Sequence, residues 1–225
     1  MTAQTGADRL DAVSGAVAQV VEELRAMLFA RDLTPGSPVR QEALAARLGV
    51  SRAPVREALR VLASEGVLDH VRNVGYRVKV LTAAEFEQTY LMRRVLEAEV
   101  LRRLPPFSAS ALEGLRTANE QIAEASARGD LTAMARLNSD FHFRMFTASG
   151  LDLVVAELRR VWQLSDGYRA YLLHDPLSQK RIVDEHAEMV EALRVRDHER
   201  LVSLMDHHRD GTRPQLEAVF TPPSP

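Results

Sequence analysis

The sequence has 225 residues, a formal net charge of −2, 46% hydrophobic residues and no cysteine. That length suits two small domains, or one large one, with buried cores. The lack of cysteine excludes disulfides, cysteine nucleophiles, iron–sulfur clusters and thiolate zinc sites within these residues. No apolar run approaches the roughly 20 residues of a membrane helix, and residues 1–30 lack a signal-peptide pattern. We therefore expect a soluble cytoplasmic protein that makes no membrane contact.

The nearly balanced charge hides an asymmetry. Residues 37–80 contain eight Arg or Lys against four acidic residues, so this window carries +4 and the rest of the chain −6. A basic segment beside an acidic body indicates a local contact with a polyanion, rather than a protein that coats nucleic acid over its whole surface.

The first predicted elements are helical. Residues 1–13 are mostly polar or small and predict a flexible tail. From Ser14, apolar residues recur at helical spacing and predict an amphipathic helix that ends before Pro35. A short helix is predicted over 41–48.

A tight turn and a longer helix follow. Residues 49–51 form the predicted turn, and Ser51 is a good N-cap for a helix that runs to Glu65. Residues 67–71 and 76–80 are rich in β-branched side chains and predict a hairpin. Three helices, a tight turn and a hairpin predict a winged helix-turn-helix domain over residues 14–80.

After residue 80 the pattern is helical throughout. Thr82 and Glu85 form a predicted capping box at the start of this region. Six helices are predicted, over 82–104, 108–128, 131–148, 151–173, 177–196 and 198–218. The expected fold is mainly α: the winged domain, then an all-helical bundle over 82–219, with residues 220–225 loose.

The N-terminus of the third helix carries the residues expected to reach DNA. An α-helix fits the major groove, where its first residues meet base edges; here those residues are Ser51, Arg52, Ala53 and Arg56. Arg52 and Arg56 are four residues apart and leave one face of the helix. The alternative is a solvated face on which both arginines pair with neighbours such as Glu57.

The run from Leu44 to Leu59, LAARLGVSRAPVREAL, resembles the signature of GntR-family transcription regulators, and the helical region resembles the FCD branch of that family. The resemblance implies DNA contacts by Arg52 and Arg56, and a wing that approaches the DNA backbone at Gly75. It also departs from the family in two places. Glu42 stands where many relatives have arginine, so we expect Arg40 to take that role. The wing lacks its usual arginine, so we expect Arg72 to reach phosphate.

Three histidines fall on the apolar stripes of three different predicted helices: His142, His186 and His208. Asn138 lies one turn before His142 on the same stripe. A single inward histidine is normally a satisfied core residue, and that is the alternative for each taken alone. Three that converge can all be satisfied by one divalent cation.

The FCD resemblance implies a metal held by an Asp or Asn and three histidines, which here are Asn138, His142, His186 and His208. Zinc or nickel suits such imidazole-rich ligation. Because asparagine replaces the more familiar aspartate, the predicted site lacks an anionic protein ligand. We expect weaker metal binding and a larger contribution from a carboxylate effector.

Two arginines near apolar stripes are candidates to bind that effector, a small organic acid. Arg93 and Arg169 could each hold a carboxylate through two hydrogen bonds. The alternative for Arg93 is an intrahelical pair with Glu97, and for Arg169 a structural link.

The sequence therefore predicts a ligand-responsive transcription regulator that binds double-stranded operator DNA as a homodimer on a palindromic site, and that is not an enzyme. Two alternatives remain open. One is a metal-dependent hydrolase or lyase that uses the histidine-ligated site. The other is a DNA-binding protein with a ligand-free dimerisation body.

Overall fold

The computed structural model describes residues 6–165, 168 and 173–211. The chain divides into two compact units, Met1–Val80 and Leu81–Pro225, called here the N-terminal and the C-terminal unit. Nine helices and three short strands lie in the described part of the chain. The predicted fold class, mainly α with a winged helix-turn-helix followed by helices, is confirmed.

The N-terminal unit contains three helices and a small antiparallel sheet. Its elements are α1 (Gly6–Phe29), β1 (Pro38–Val39), α2 (Gln41–Leu48), α3 (Arg52–Ser64), β2 (Leu68–Val71) and β3 (Gly75–Val78). The strand order is β1-β3-β2, so β3 is central and pairs with both neighbours. The predicted hairpin is the β2–β3 pair, with Val71 opposite Gly75.

The core of this unit lies between α1 and α3 and is closed by the sheet. Apolar side chains recur every three or four residues on both helices, so each presents a continuous apolar stripe to the other. Leu24 of α1 and Val55, Leu59 and Leu62 of α3 are almost completely buried. Burial of this stripe leaves the opposite face of α3 exposed.

The structure of this unit differs from the sequence prediction at two places. The first helix begins at Gly6, so residues 6–13 are helical rather than a loose tail. Leu10 and Val13 lie seven and four residues before Val17, so they extend the same helical spacing. Strand β1 was not predicted, because two residues are too few to produce a period. Residues 1–5 lie outside the described part.

The C-terminal unit consists of packed helices. These are α4 (Ala83–Arg102), α5 (Ala109–Ala127), α6 (Leu131–Thr147), α7 (Asp152–Leu164), α8 (Pro176–Val195) and α9 (His198–Asp210). Thr82 and Glu85 form the predicted capping box, which satisfies backbone donors at the start of α4. Helix α5 packs on α6 and α8, while α4 packs on α7 and α9. These pairings bring α6, α8 and α9 around one interior.

Helix α7 is shorter than predicted. It ends at Leu164, not at 173, and the hydroxyl of Ser165 donates to the carbonyl of Trp162 at that end. The last helix is described to Asp210, and residues 212–218 of the predicted helix lie outside the described part. In the described ranges, no helix combines the length and apolar character needed to cross a bilayer.

Candidate nucleic-acid interface and metal centre

The start of α3 is exposed and open to a ligand. Helix α2 ends at Gly49 in a left-handed conformation (φ 66°), which turns the chain into α3. Ser51 occupies the N-cap position, but its hydroxyl makes no capping hydrogen bond to the first turn of α3, which is described in full. Ser51 and Ala53 are exposed. The N-terminus of α3 therefore presents backbone donors and a hydroxyl to the surface.

Arg52 and Arg56 also lie at the surface, with 70% and 51% of their side chains exposed. Arg52 Nη1 lies 2.9 Å from Glu42 Oε1, and Arg56 Nε lies 3.6 Å from Glu57 Oε1. The ion pairs of the alternative interpretation are thus present. Such exposed pairs contribute only about 0–1 kcal/mol, so they open at little cost when a polyanion approaches.

A groove between the start of α3 and the wing brings some predicted residues together and not others. Arg40, Arg52 and Gly75 line it, together with Glu42 and Arg77. Arg77 was not assigned to the DNA interface in the sequence analysis. Side chains alternate between the two faces of β3, so the exposed position of Arg77 could have been predicted from the sequence. The other predicted DNA contacts are exposed but do not line this groove: Ser51, Ala53, Arg56 and Arg72.

Gly75 is required for its backbone conformation. Its φ of 104° is one that L side chains rarely adopt, and a Cβ there would meet nothing within 4 Å. The glycine therefore sets the path of the wing and does not make room for a neighbouring side chain.

The three predicted histidines meet in the interior of the C-terminal unit. One ring nitrogen from each of His142, His186 and His208 lies within 4.8 Å of the others, and all three side chains are buried. The Nε2 atoms of His142 and His186 are 3.1 Å apart, which is also hydrogen-bonding distance for two neutral imidazoles. Two imidazole nitrogens that bind one ion at about 2.0–2.1 Å stand roughly 3 Å apart, so this spacing fits a shared cation.

Asn138 provides a further observation for this cluster. It is buried on α6, one turn before His142, and no described residue donates a hydrogen bond to its Oδ1. A buried acceptor without a donor costs about 1–3 kcal/mol. A cation bound to Oδ1 would remove that cost, so the donor set fits a divalent metal.

The outer nitrogens of two histidines have partners that fix the rings. His186 Nδ1 donates to Asn119 Oδ1 at 3.1 Å, and Asn119 Nδ2 donates to the carbonyl of Val183. His208 Nδ1 donates to Glu185 Oε2 at 2.6 Å. Both rings are thereby held with Nε2 on the side away from these partners, which is the usual arrangement of metal-binding histidines.

The environment keeps these groups in the protonation states that metal binding needs. Burial lowers the pKa of His186 well below its ordinary value, and burial also lowers the pKa of His208 although Glu185 opposes the shift. For Glu185, burial acts to raise the pKa, but the hydrogen bonds from His208 and Arg181 outweigh it and leave the pKa lowered. Neutral imidazoles next to an ionised carboxylate are competent ligands.

Arg93 is predicted to bind the effector. In the structure it pairs with Glu97 on the same helix, which is the alternative role that the sequence offered. Its Nε donates to Glu97 Oε1 at 2.9 Å, and its guanidinium lies over the ring of Trp162, 4.1 Å from the ring centroid. Glu97 also accepts from Trp162 Nε1 at 2.7 Å and from Arg209 Nη1 at 2.6 Å. Arg169, the second candidate, lies outside the described residues.

A winged helix-turn-helix followed by a helical unit defines a class of DNA-binding regulators, and comparison with known proteins agrees. The family model "Bacterial regulatory proteins, gntR family" matches residues 16–78, and the model "FCD domain" matches residues 88–211. The chain belongs to the GntR family and carries an FCD domain.

Individual relatives are transcriptional regulators. The chain is 30% identical to a probable D-xylose utilization operon transcriptional repressor of Paenarthrobacter nicotinovorans, over 85% of each protein. It is 26% identical to the gluconate operon transcriptional repressor of Bacillus licheniformis, over 90% of this chain and 85% of that one. Its fold matches Escherichia coli McbR/YncC with a TM-score of 0.80 at 21% identity, over 92% and 99% of the two chains. These matches identify a regulator and not an enzyme.

The Glu42–Arg52 pair leads to a prediction about DNA affinity. Replacement of Glu42 by glutamine should tighten operator binding by about two- to fivefold, because it releases Arg52 and removes a negative charge from the groove. Fluorescence anisotropy with a duplex from upstream of the coding region measures the change. Glu23→Gln removes the same charge from the exposed side of α1 and serves as the control. Equal gains in both variants would contradict a specific role for Glu42.

Proposed function

We propose that this regulator binds a palindromic operator as a homodimer, and that a small carboxylate held by a divalent metal in the C-terminal unit changes its affinity for DNA. Two-fold symmetry would place two α3 helices in successive major grooves, about 34 Å apart. In a bacterial cell the DNA lies in the cytoplasm, so we propose that this regulator is cytoplasmic. The relatives named as repressors support repression as the mode of action.

On the DNA side, the proposal assigns contacts to the exposed start of α3 and to the wing. Ser51, Arg52, Ala53 and Arg56 would meet base edges and phosphates, while Arg40, Arg72 and the backbone at Gly75 would meet phosphates. The exposure of the arginines supports these roles. The phosphate contacts of Arg40 and Arg72 would add affinity that does not depend on DNA sequence and that falls as the salt concentration rises.

The single observation that carries the metal-dependent part is the buried cluster of His142, His186 and His208 beside an Asn138 oxygen that lacks a donor. We propose these four residues as ligands of zinc or nickel. When bound, the metal would act as a Lewis acid with open positions for carboxylate oxygens. A ligand-free dimerisation body would have no need for three converging imidazoles.

The effector would be an organic acid. The ring of Trp162 lies 5.0 Å from the ring of His142, and the guanidinium of Arg93 lies on the same tryptophan. This proximity supports Arg93 as a positive group beside the acid, and we propose the same role for Arg169. Gluconate is the first acid to test, because one relative is named after a gluconate operon.

Elemental analysis and a thermal-shift screen test the proposal. The protein should carry about one zinc or nickel per chain, and an acid at a hundred times its dissociation constant should stabilise it by about 2.7 kcal/mol. His142→Ala should lose both the metal and the response to the acid. His174→Ala, at an exposed histidine outside the cluster, is the matched control and should keep both. An unchanged response in His142→Ala would remove the metal from the sensing mechanism.

A further inference from the structure

The carboxylate of Glu185 occupies an unusual position behind the histidine cluster. Glu185 directly precedes His186 on α8, yet its side chain contacts His208 on α9. Only 8% of the side chain is exposed, and Arg181 Nη1 donates to its two oxygens at 2.8 and 3.0 Å. Arg181 also donates to the carbonyl of Gly211 at the end of α9. The carboxylate is therefore fixed in place against the outer nitrogen of His208.

The charge of the proposed metal ligands makes this position important. Asn138, His142, His186 and His208 are all neutral when they bind a metal, so a divalent ion would bring a charge of +2 into a buried site. Burial of an uncompensated charge is costly.

Of the two buried carboxylates in the described part of this unit, Glu97 already pairs with two buried arginines. Glu185 is the other one: its single arginine partner, Arg181, is 27% exposed to solvent, and the carboxylate is linked directly to a proposed ligand. A carboxylate that accepts from the outer nitrogen of a ligating histidine increases the basicity of that ligand and donates negative character to the metal.

We propose that Glu185 supplies, through His208, the negative charge that Asn138 does not provide to the metal. Glu185 is thus a positioning residue that acts on the ion through His208 and does not touch it. This inference rests on the metal centre proposed above. It explains how a site with four neutral ligands can hold a divalent ion.

Zinc affinity of purified, metal-stripped full-length protein, measured by competition with a chromophoric chelator, tests this role. Glu185→Gln preserves the shape and can still accept a hydrogen bond, but it removes the charge. It should raise the zinc dissociation constant about 10–100-fold. Glu188→Gln removes an exposed carboxylate from the same helix and should leave the constant unchanged. Circular dichroism of the zinc-free variants checks that both are folded.

A second substitution separates charge from a general packing defect. Asn138→Asp restores an anionic ligand directly and should bind zinc more tightly than the wild type. Combined with Glu185→Gln, it should gain more zinc affinity than it gains in the wild-type background, whereas a packing defect at Glu185 would leave the gain from Asn138→Asp equal in both backgrounds.

The outcomes are distinguishable. A wild-type protein that binds no zinc would contradict the proposed metal centre itself, and this inference with it. A wild type that binds zinc, together with an unchanged constant in Glu185→Gln or an equal gain from Asn138→Asp in both backgrounds, would overturn the role of Glu185 alone.

Discussion

Replacement of Glu97 by alanine should lower the free energy of unfolding by about 3–5 kcal/mol, because it removes the buried carboxylate that pairs with Arg93 and Arg209. Glu97 is completely buried and accepts hydrogen bonds from Arg93, Arg209 and Trp162. Burial acts to raise the pKa of Glu97, but the two arginines outweigh it and keep the pKa lowered, so the group is ionised. Urea denaturation followed by circular dichroism measures the loss.

A matched variant on the same helix controls for this effect. Glu99 is 47% exposed and pairs with the exposed Arg103. Glu99→Ala should therefore change stability by less than about 1 kcal/mol. A loss below 1 kcal/mol in Glu97→Ala, similar to that in Glu99→Ala, would show that the buried network is not required for the fold.

Replacement of Arg52 or Arg56 by alanine should weaken binding to each half-site of the operator by about 5- to 150-fold, which corresponds to the 1–3 kcal/mol expected for one good contact with a base. If an arginine contacts phosphate instead, the loss should be similar on every DNA sequence, and the log–log slope of the salt dependence should fall by about 0.9 for each protomer bound. Anisotropy titrations at several salt concentrations distinguish the two cases.

Arg194→Ala provides the control for this measurement. Arg194 is an exposed arginine of the C-terminal unit and pairs with Glu191. Its loss changes the net charge in the same way. Operator affinity should nevertheless stay within about twofold of the wild type, because Arg194 is not among the residues proposed to contact DNA. Wild-type affinity in the double variant of Arg52 and Arg56 would show that α3 does not read DNA.

Local chemistry made much of the fold predictable. The capping box at Thr82 and Glu85, the glycine after α2 and the apolar stripes of α3 all act within a few residues, so the sequence alone defined these boundaries. Prediction failed at β1, which has only two residues, and at the start of α1, which begins at Gly6 rather than near Ser14.

The candidate metal centre was predictable only in part, for a related reason. Helical period showed that His142, His186 and His208 face inward, but not what stands behind them. Asn119 lies 67 residues from His186 in the sequence, and Glu185 lies 23 from His208. Such pairs depend on which helices pack together, and a single sequence does not contain that information.

The central idea is that a buried site for a metal and an acid controls an exposed helix that reads DNA. Its most direct test is an operator titration of the protein in two states: without ligands, and with both zinc and the acid that gives the largest thermal shift. Coupling between two such sites is typically 1–3 kcal/mol, so operator affinity should change about 5- to 150-fold in the wild type and not in His142→Ala. An identical operator affinity with the site filled and empty would contradict the account.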